Sequence, residues 1–301
     1  MHSHFILRTA VVVILTLWSL HCLRCQNVDR YSQQADSVLQ RLNLDDCINL
    51  ISGSEGMQAP GIPRLGIPAL KMTDGPFGPH WGKAPAFPVG VCLAAGWDTA
   101  ALYRAAQLMG KCTYAQGRNT LLGPGVNIHR VPTGGRNFES YSEDPWLSSR
   151  MAVAVVKGLQ SEHIVPTVKH FALNNNDWNR HQSDVEIDER ALHEIYLPSF
   201  KAAVQEAGAL GIMSSYNKIR GLHASEQPYL LNDILKTEWG FKGIVVSDWG
   251  SVYSTVGPVK AGLDIEMALP QFFSRDSIMK YLDAGLITRE QIYEKARRNL
   301  Y

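Results

Sequence analysis

The sequence predicts an α/β fold, and within that class an irregular (β/α)8 TIM-like barrel, from three observations. Short apolar runs alternate with amphipathic helical patterns from residue 67 to the end of the chain, as in a parallel sheet covered by helices. Glycine and proline separate these segments and mark their boundaries. An eight-fold barrel takes about 250 residues, which is close to the length of residues 26–301. We therefore assign residues 26–301 to one barrel domain.

Residues 1–25 resemble a secretory signal peptide and are left out of that domain. Arg8 precedes an apolar run at residues 10–20, and a more polar segment follows up to Gln26. The apolar run is shorter than the about 20 residues that a transmembrane helix needs. We therefore expect a secreted or lumenal protein without a stable membrane anchor.

Composition narrows the class of partner. Hydrophobic residues make up 45% of the chain and charged residues 19%, which is typical of a soluble globular protein. The formal net charge of +1 gives no reason to expect nucleic acid as a partner, so a neutral substrate fits best. Beyond the predicted signal peptide lie Cys47, Cys92 and Cys112, which we expect to be buried and unpaired. The oligomeric state stays open.

The first half of the chain begins the alternation of strands and helices. Residues 31–53 have a helical pattern, and the strand at residues 67–73 leads into Asp74. Residues 87–95 are predicted to form the next strand, after which Asp98 caps a helix. A strand at residues 120–126 then leads into a long polar loop at residues 129–144.

The second half continues in the same way. A strand at residues 165–171 carries Lys169 and His170 near its end, and Asp188 caps the helix that follows. The strand at residues 210–216 comes next, and a second helix stops at Gly240. The β-branched run at residues 244–246 suits a strand buried on both faces, and Asp248 follows it. Residues 261–267 are a further strand candidate, and helices at residues 274–284 and 288–301 complete the chain.

Polar and bulky side chains follow successive predicted strands. Taken singly, each has an ordinary alternative, such as a turn, a surface position or a helix cap for an aspartate. Together they would meet at the carboxyl edge of a parallel sheet, where α/β folds bind ligands. A pyranose needs hydrogen-bonding groups and an aromatic face in this mixture. The residues are Asp74, Arg136, Lys169, His170, Tyr216, Asp248 and Trp249.

Other kinds of chemistry have no sequence support. No spacing of histidine or cysteine suits zinc, and the acidic residues are not grouped as in a calcium loop. We therefore expect neither a metal nor a cofactor. A serine nucleophile elbow, a Gly-x-Gly-x-x-Gly turn and a phosphate loop are also missing. The last two absences count against an open doubly wound nucleotide-binding sheet, which is the structural alternative to the barrel.

Several motifs resemble glycoside hydrolase family 3, in its β-glucosidase-like branch. They are Leu-Gly-Pro-Gly-Val-Asn-Ile-His-Arg at 122–130, Gly-Gly-Arg-Asn-Phe-Glu-Ser-Tyr-Ser-Glu-Asp-Pro at 134–145, Lys-His-Phe at 169–171, Met-Ser-Ser-Tyr-Asn at 213–217 and Val-Ser-Asp-Trp-Gly at 246–250. The resemblance implies a retaining, exo-acting β-glycosidase that cleaves a β-linked oligosaccharide or glycoside. Asp248 would be its nucleophile and would form a covalent glycosyl-enzyme.

The same resemblance implies a role for each of the other site residues. Asp74 would bind outer sugar hydroxyls, and three cationic or imidazole side chains would hold the same ring: Arg136, Lys169 and His170. Tyr216 would lie beside the nucleophile, and Met213 and Trp249 would form the walls of the subsite. We also expect the charges of Lys169 and Arg136 to lower the pKa of Asp248 and keep it ionised.

The sequence departs from the family in its general acid. In the glucosidase branch an acid/base glutamate comes from a second α/β sandwich domain, which we expect to be absent because the chain ends at Tyr301. The hexosaminidase branch instead uses a loop after the Lys-His strand, where this chain offers Asp177, His181 and Asp184. Arg180 and His181 are expected to order that loop. Two alternatives therefore stay open: a sugar-binding pseudoenzyme and a β-N-acetylhexosaminidase.

Overall fold

The computed structural model describes residues 30–301, so the predicted signal peptide at residues 1–25 lies outside it. The strands are β1 (Gln58–Ala59), β2 (Leu70–Asp74), β3 (Thr120–Leu122), β4 (Val165–Phe171), β5 (Asp184–Val185), β6 (Gly211–Ser214), β7 (Lys218–Ile219), β8 (Leu222–His223) and β9 (Ile244–Val246). A six-stranded sheet has the order β1, β2, β3, β4, β6 and β9, and a small second sheet contains β5, β7 and β8.

Helices precede, connect and follow the strands of the larger sheet. They are α1 at residues 30–39, α2 (Leu44–Leu50), α3 (Gly90–Ala95), α4 (Thr99–Ala115), α5 (Pro145–Ser161), α6 (Glu189–Ala191), α7 (Pro198–Gln205), α8 (Val256–Ala261), α9 (Arg275–Asp283) and α10 (Arg289–Leu300). Two stretches are π-helical: Leu192–Tyr196 follows α6, and Tyr229–Glu238 precedes β9. Within residues 30–301, no helix combines the length and the apolar character needed to cross a bilayer. The α/β class predicted from the sequence is confirmed.

The larger sheet is parallel from β2 to β9, and single bridges continue it beyond β9. Ile265 pairs in parallel with Val246, and Glu266 pairs in parallel with Ser52. The amide of Gly53 also donates to the carbonyl of Glu266 at 2.8 Å. These contacts link the end of the sheet to the segment that precedes β1. Strand β1 runs antiparallel to β2. The sheet is therefore curled, and at β1 it departs from a regular ring of parallel strands.

Apolar side chains fill the space between the sheet and its helices. Phe171 of β4 is fully buried and meets Phe200 of α7 with its ring centroid 5.1 Å away. Trp239, at the end of the second π-helical stretch, packs edge-on against the same ring at 5.9 Å. Aromatic pairs in this geometry stabilise a fold beyond the contribution of the apolar area that they bury. They fix β4, and with it the Lys-His pair, against the helical layer.

Local capping explains where several helices begin and end. The Asp98 side chain accepts from the amide of Ala101 at the start of α4, and Asp188 accepts from Ala191 at the start of α6. Both caps were predicted. The second π-helical stretch ends before Gly240, whose φ of +68° is left-handed and suits glycine.

The prediction of a strand at residues 87–95 is wrong, because residues from Gly90 to Ala95 form helix α3. Gly90 and Ala94 are buried at a spacing of four, while Val91 and Cys92 are exposed, which is a helical and not a strand pattern. A Cβ at Gly90 would lie 2.7 Å from the carbonyl oxygens of Glu139 and Ser140. The apolar run therefore packs one helical face closely against the loop before α5.

The structure agrees with the expected pairing state of the cysteines but not with their expected burial. Cys47, Cys92 and Cys112 are all free thiols, as expected. Only Cys47 is buried, and that burial raises its pKa to about 12, with a smaller contribution from Asp46. Cys92 is exposed and Cys112 is partly exposed, so the expectation of burial is wrong for these two.

Candidate functional site

The carboxyl ends of the parallel strands surround a cavity of about 450 Å³, a volume typical of small-molecule sites. Every site residue predicted from the sequence lines this cavity except His170, which instead contacts Asp248. Three further residues take part, namely Met57, Leu122 and Arg180. The complete lining is Met57, Asp74, Leu122, Arg136, Lys169, Arg180, Met213, Tyr216, Asp248 and Trp249.

Asp248 lies two residues beyond β9 and is 7% exposed. The amide of Trp249 donates to its Oδ1 atom at 2.8 Å. Burial raises the pKa of Asp248, while Lys169, the Trp249 amide, Tyr216 and Arg136 act in the opposite direction. Burial has the larger effect, so the pKa lies above its ordinary value. The expected lowering is therefore wrong in sign, although both predicted cations do act to lower it.

Lys169 carries a charge that is almost completely buried. Its residue is 2% exposed, and its Nζ atom lies 2.9 Å from Oδ1 of Asp74, whose side chain is half exposed. Partial burial raises the pKa of Asp74, but the charge and hydrogen bond of Lys169, together with His80 and Arg136, outweigh that effect and lower it. Asp74 is thus held ionised at the last position of β2.

His170 lies between Asn127 and Asp248. Its ring is buried, with Nδ1 3.3 Å from Oδ1 of Asn127 and Nε2 3.4 Å from Oδ2 of Asp248. Burial lowers the pKa of His170 well below its ordinary range, and the nearby charges of Arg136 and Lys169 lower it further. The imidazole is therefore neutral. His170 therefore contacts Asp248 without lining the cavity of about 450 Å³.

Arg136 comes from the polar loop after β3, where it precedes a short 3-10 turn at Asn137–Glu139. Its guanidinium is ion paired with Glu139, and its Nε atom lies 3.9 Å from Oδ2 of Asp177. Glu139 and Asp177 thus hold Arg136, which lines the cavity. This pairing orders the long polar loop at residues 129–144.

Arg180 is the lining residue that the sequence assigned only to loop ordering. Its guanidinium lies 4.1 Å from the centre of the Tyr216 ring, and its Nη1 atom is 3.2 Å from Oδ1 of Asp177. The loop-ordering contacts exist, and they also bring the charge into the cavity. The spacing of three residues between Asp177 and Arg180 was the signal available in the sequence. Met57 precedes β1 and had no such signal.

The three acid/base candidates of the loop after β4 do not line this cavity. Asp177 is paired with arginine, and Nδ1 of His181 lies 2.9 Å from the Tyr253 hydroxyl. Asp184 accepts from the amide of Gly221 at 3.1 Å and lines a separate cavity of about 880 Å³. No cluster of metal-ligating side chains occurs among residues 30–301. The roles assigned to the lining residues stay predictions.

Comparison with known proteins gives consistent relatives. Residues 43–300 match the model described as the glycosyl hydrolase family 3 N terminal domain. A beta-glucosidase from Rhizobium radiobacter is 41% identical over 272 residues, which cover 88% of this chain and 33% of that protein. A beta-glucosidase from Bacteroides ovatus is 39% identical over 294 residues, covering 89% of this chain and 39% of that protein. The chain spans about a third of the length of these curated relatives.

Solved structures agree with the sequence matches. A beta-glucosidase from Kluyveromyces marxianus has a TM-score of 0.86 at 40% identity, covering 88% of this chain and 32% of that one. A beta-glucosidase from Bifidobacterium adolescentis has a TM-score of 0.83 at 38% identity, covering 87% of this chain and 39% of that one. The motifs, the fold and these matches agree, and the chain belongs to glycosyl hydrolase family 3, whose N terminal domain it contains.

Proposed function

We propose that the chain acts as a retaining, exo-acting β-glycosidase of the β-glucosidase type, on terminal non-reducing β-D-glycosyl residues. One observation carries this proposal: the buried Asp248 carboxylate adjoins a cavity whose other polar side chains suit sugar hydroxyls. The relatives support the same substrate class, since they are beta-glucosidases by name.

In this proposal Asp248 is the nucleophile. One carboxylate oxygen attacks the anomeric carbon, and the glycosidic C–O bond breaks as the leaving oxygen takes the bonding electrons. Water then attacks the same carbon and breaks its bond to Asp248, which is restored as the free carboxylate, while the proton lost by the water is passed through solvent to the departed leaving-group oxygen. The amide of Trp249 at 2.8 Å and the nearby charge of Lys169 stabilise the ionised form.

The surrounding side chains would hold a single sugar ring. Asp74 faces the cavity as a half-exposed, ionised acceptor for sugar hydroxyls, while Lys169 and Arg136 act as donors. Met213 and Trp249 offer apolar surface to the C–H face of the ring. A β-linked oligosaccharide or glycoside is therefore the substrate class that we propose.

The finer description of the fold is also a proposal. We regard the curled sheet as an irregular (β/α)8 barrel in which two ring segments pair through single bridges. The pairs Val246–Ile265 and Ser52–Glu266 support this description. A crystal structure would refute it by placing the segment around residue 52 away from the segment around residue 266.

Sugar binding without turnover is a second candidate, and one observation favours it. Among the residues that the structure describes, Asp74 and Asp248 are the carboxylates that line the cavity, and Asp74 is held ionised. An ionised carboxylate is a poor proton donor to a leaving group. Under this candidate, glycosides whose leaving groups need a proton would be bound without being cleaved, and any turnover should be confined to activated aryl glycosides.

Covalent labelling tests the proposal and separates the two candidates. A 2-fluoro-glucoside with an activated leaving group should add one sugar to the chain, and peptide mass spectrometry should place it on Asp248. The Asp248→Asn variant should show no adduct, whereas Asp276→Asn, an exposed control on α9, should react like wild type. An adduct elsewhere, or unchanged turnover in Asp248→Asn, would refute the nucleophile. Glucose binding without labelling would favour the second candidate, and a parallel aryl N-acetylglucosaminide would detect hexosaminidase activity.

Secretion is proposed from the N-terminal pattern of residues 1–25 alone. If the proposal holds, the protein collected from the medium of a eukaryotic expression host begins near Gln26. Retention of the intact N-terminus inside the cell would contradict it.

A further inference from the structure

Four ring-bearing residues form a connected cluster beside the proposed nucleophile. The His181 ring centroid lies 4.5 Å from that of Tyr216, and Nδ1 of His181 lies 2.9 Å from the hydroxyl of Tyr253. Tyr253 stacks on His223 with centroids 3.6 Å apart and an interplanar angle of 22°. The cluster joins the loop after β4, the segments after β6 and β9, and strand β8. Except for His223, each residue of the cluster either lines the cavity or lies within five residues in sequence of one that does.

The hydrogen bonds of the cluster converge on the main chain of Tyr216. Nδ1 of His223 lies 3.2 Å from the Tyr216 carbonyl oxygen, and the Tyr253 hydroxyl lies 3.5 Å from the same atom. Burial lowers the pKa of His223, so its neutral ring donates through Nδ1. Tyr253 can accept from Nδ1 of His181 while it donates to the carbonyl. Each ring therefore restrains the position of Tyr216.

Tyr216 transmits that restraint to the proposed reaction centre. Its hydroxyl is close enough to Asp248 to lower the pKa of that carboxyl group. Its ring also supports the guanidinium of Arg180, 4.1 Å from the ring centroid. A shift of the ring would thus alter both a group next to the nucleophile and a charge in the cavity lining.

We infer that His181 and Tyr253 are positioning residues, which hold Tyr216 against Asp248 and keep Arg180 in the cavity. Neither residue lines the cavity, so neither needs to touch the sugar. The inference rests on the proposed function, because it assigns these residues to the attack by Asp248. It goes beyond loop ordering, since it predicts a change in the rate of a chemical step.

The experiment compares the kinetics of covalent labelling by a 2-fluoro-glucoside in four variants of the 301-residue chain. His181→Ala should slow the maximal labelling rate about five- to tenfold, the effect of losing one hydrogen bond. Tyr253→Phe, which loses the contacts to His181 and to the Tyr216 carbonyl, should slow it at least as much. The concentration for half-maximal labelling should change less. His181→Asn should recover much of the rate, because its amide group occupies the place of Nδ1.

His193→Ala is the matched control. His193 also contacts a tyrosine hydroxyl, that of Tyr229, with Nε2 at 3.4 Å, but it belongs to the π-helical stretch after α6 and is not part of the four-ring cluster. It should label like wild type. Equal rates in His181→Ala and wild type, or no recovery in His181→Asn, would overturn the positioning role while leaving Asp248 as nucleophile. A wild-type chain that is not labelled at all would overturn the proposed function, and the positioning role with it.

Discussion

Replacing Asp248 by asparagine should make the folded protein more stable at neutral pH while it removes the proposed nucleophile. Burial raises the pKa of this carboxyl group above 3.8, even though Lys169, the Trp249 amide, Tyr216 and Arg136 oppose the rise. The ionised group therefore destabilises the folded state. Because one pKa unit corresponds to about 1.4 kcal/mol, the measured gain in the free energy of unfolding reports the size of the pKa shift.

The gain should depend on pH in a definite direction. Below the pKa of the unfolded aspartate, the carboxyl group is protonated in both states, and the two proteins should be equally stable. As the pH rises through the raised pKa of the folded state, the unfolded wild type ionises more readily than the folded form. Wild type then loses stability that Asp248→Asn keeps. Urea unfolding at about pH 3.5 and about pH 7 measures this difference.

Asp264→Asn provides a control with the opposite sign. Asp264 is fully buried, but Nζ of Lys236 lies 2.7 Å from its Oδ1 atom and the amide of Val245 donates to Oδ2 at 2.8 Å. Removing its charge leaves a buried lysine unpaired, which should cost about 3 kcal/mol at neutral pH. If Asp248→Asn also loses stability at neutral pH, the cations control the Asp248 carboxylate and our account of its burial is refuted.

Three further variants test individual contacts. Gly243→Ala should destabilise the fold by more than about 2 kcal/mol in thermal unfolding, because its Cβ would lie 2.1 Å from the carbonyl oxygen of Leu210; an unchanged midpoint would contradict that close approach. Thr288→Ala should cost about 1 kcal/mol in urea unfolding by removing the capping box of α10, and a null effect would mean that α10 does not depend on its cap. Lys169→Met should raise the pKa of Asp74 in a carboxyl NMR titration, since Lys169 is its partner at 2.9 Å; an unmoved titration would disprove the ion pair.

Local patterns in the sequence carried most of the fold. The β-branched run before Asp248 and the caps at Asp98 and Asp188 act within a few residues, so the chain itself specifies them. Helix α3 was missed because its apolar run carries no periodic polar face. Its glycine, Gly90, is explained by the close approach to the carbonyl of Glu139, which a Cβ would meet at 2.7 Å, and that approach joins segments 49 positions apart in the sequence.

The sequence indicated where the cavity-lining side chains lie better than it indicated the sign of the Asp248 pKa shift, and the reason is physical. Strand ends collect side chains at one edge whatever their charge, so the position of Asp248 follows from the order of strands. The sign of its pKa shift depends on how much water reaches the carboxylate, and no sequence pattern measures that. Lys169 acts to lower the pKa of both Asp74 and Asp248, but the opposing charges outweigh burial only at Asp74. Burial therefore outweighs the charges around Asp248, and the Trp249 amide lowers the pKa of that carboxyl group less than Lys169 does but more than Arg136 does.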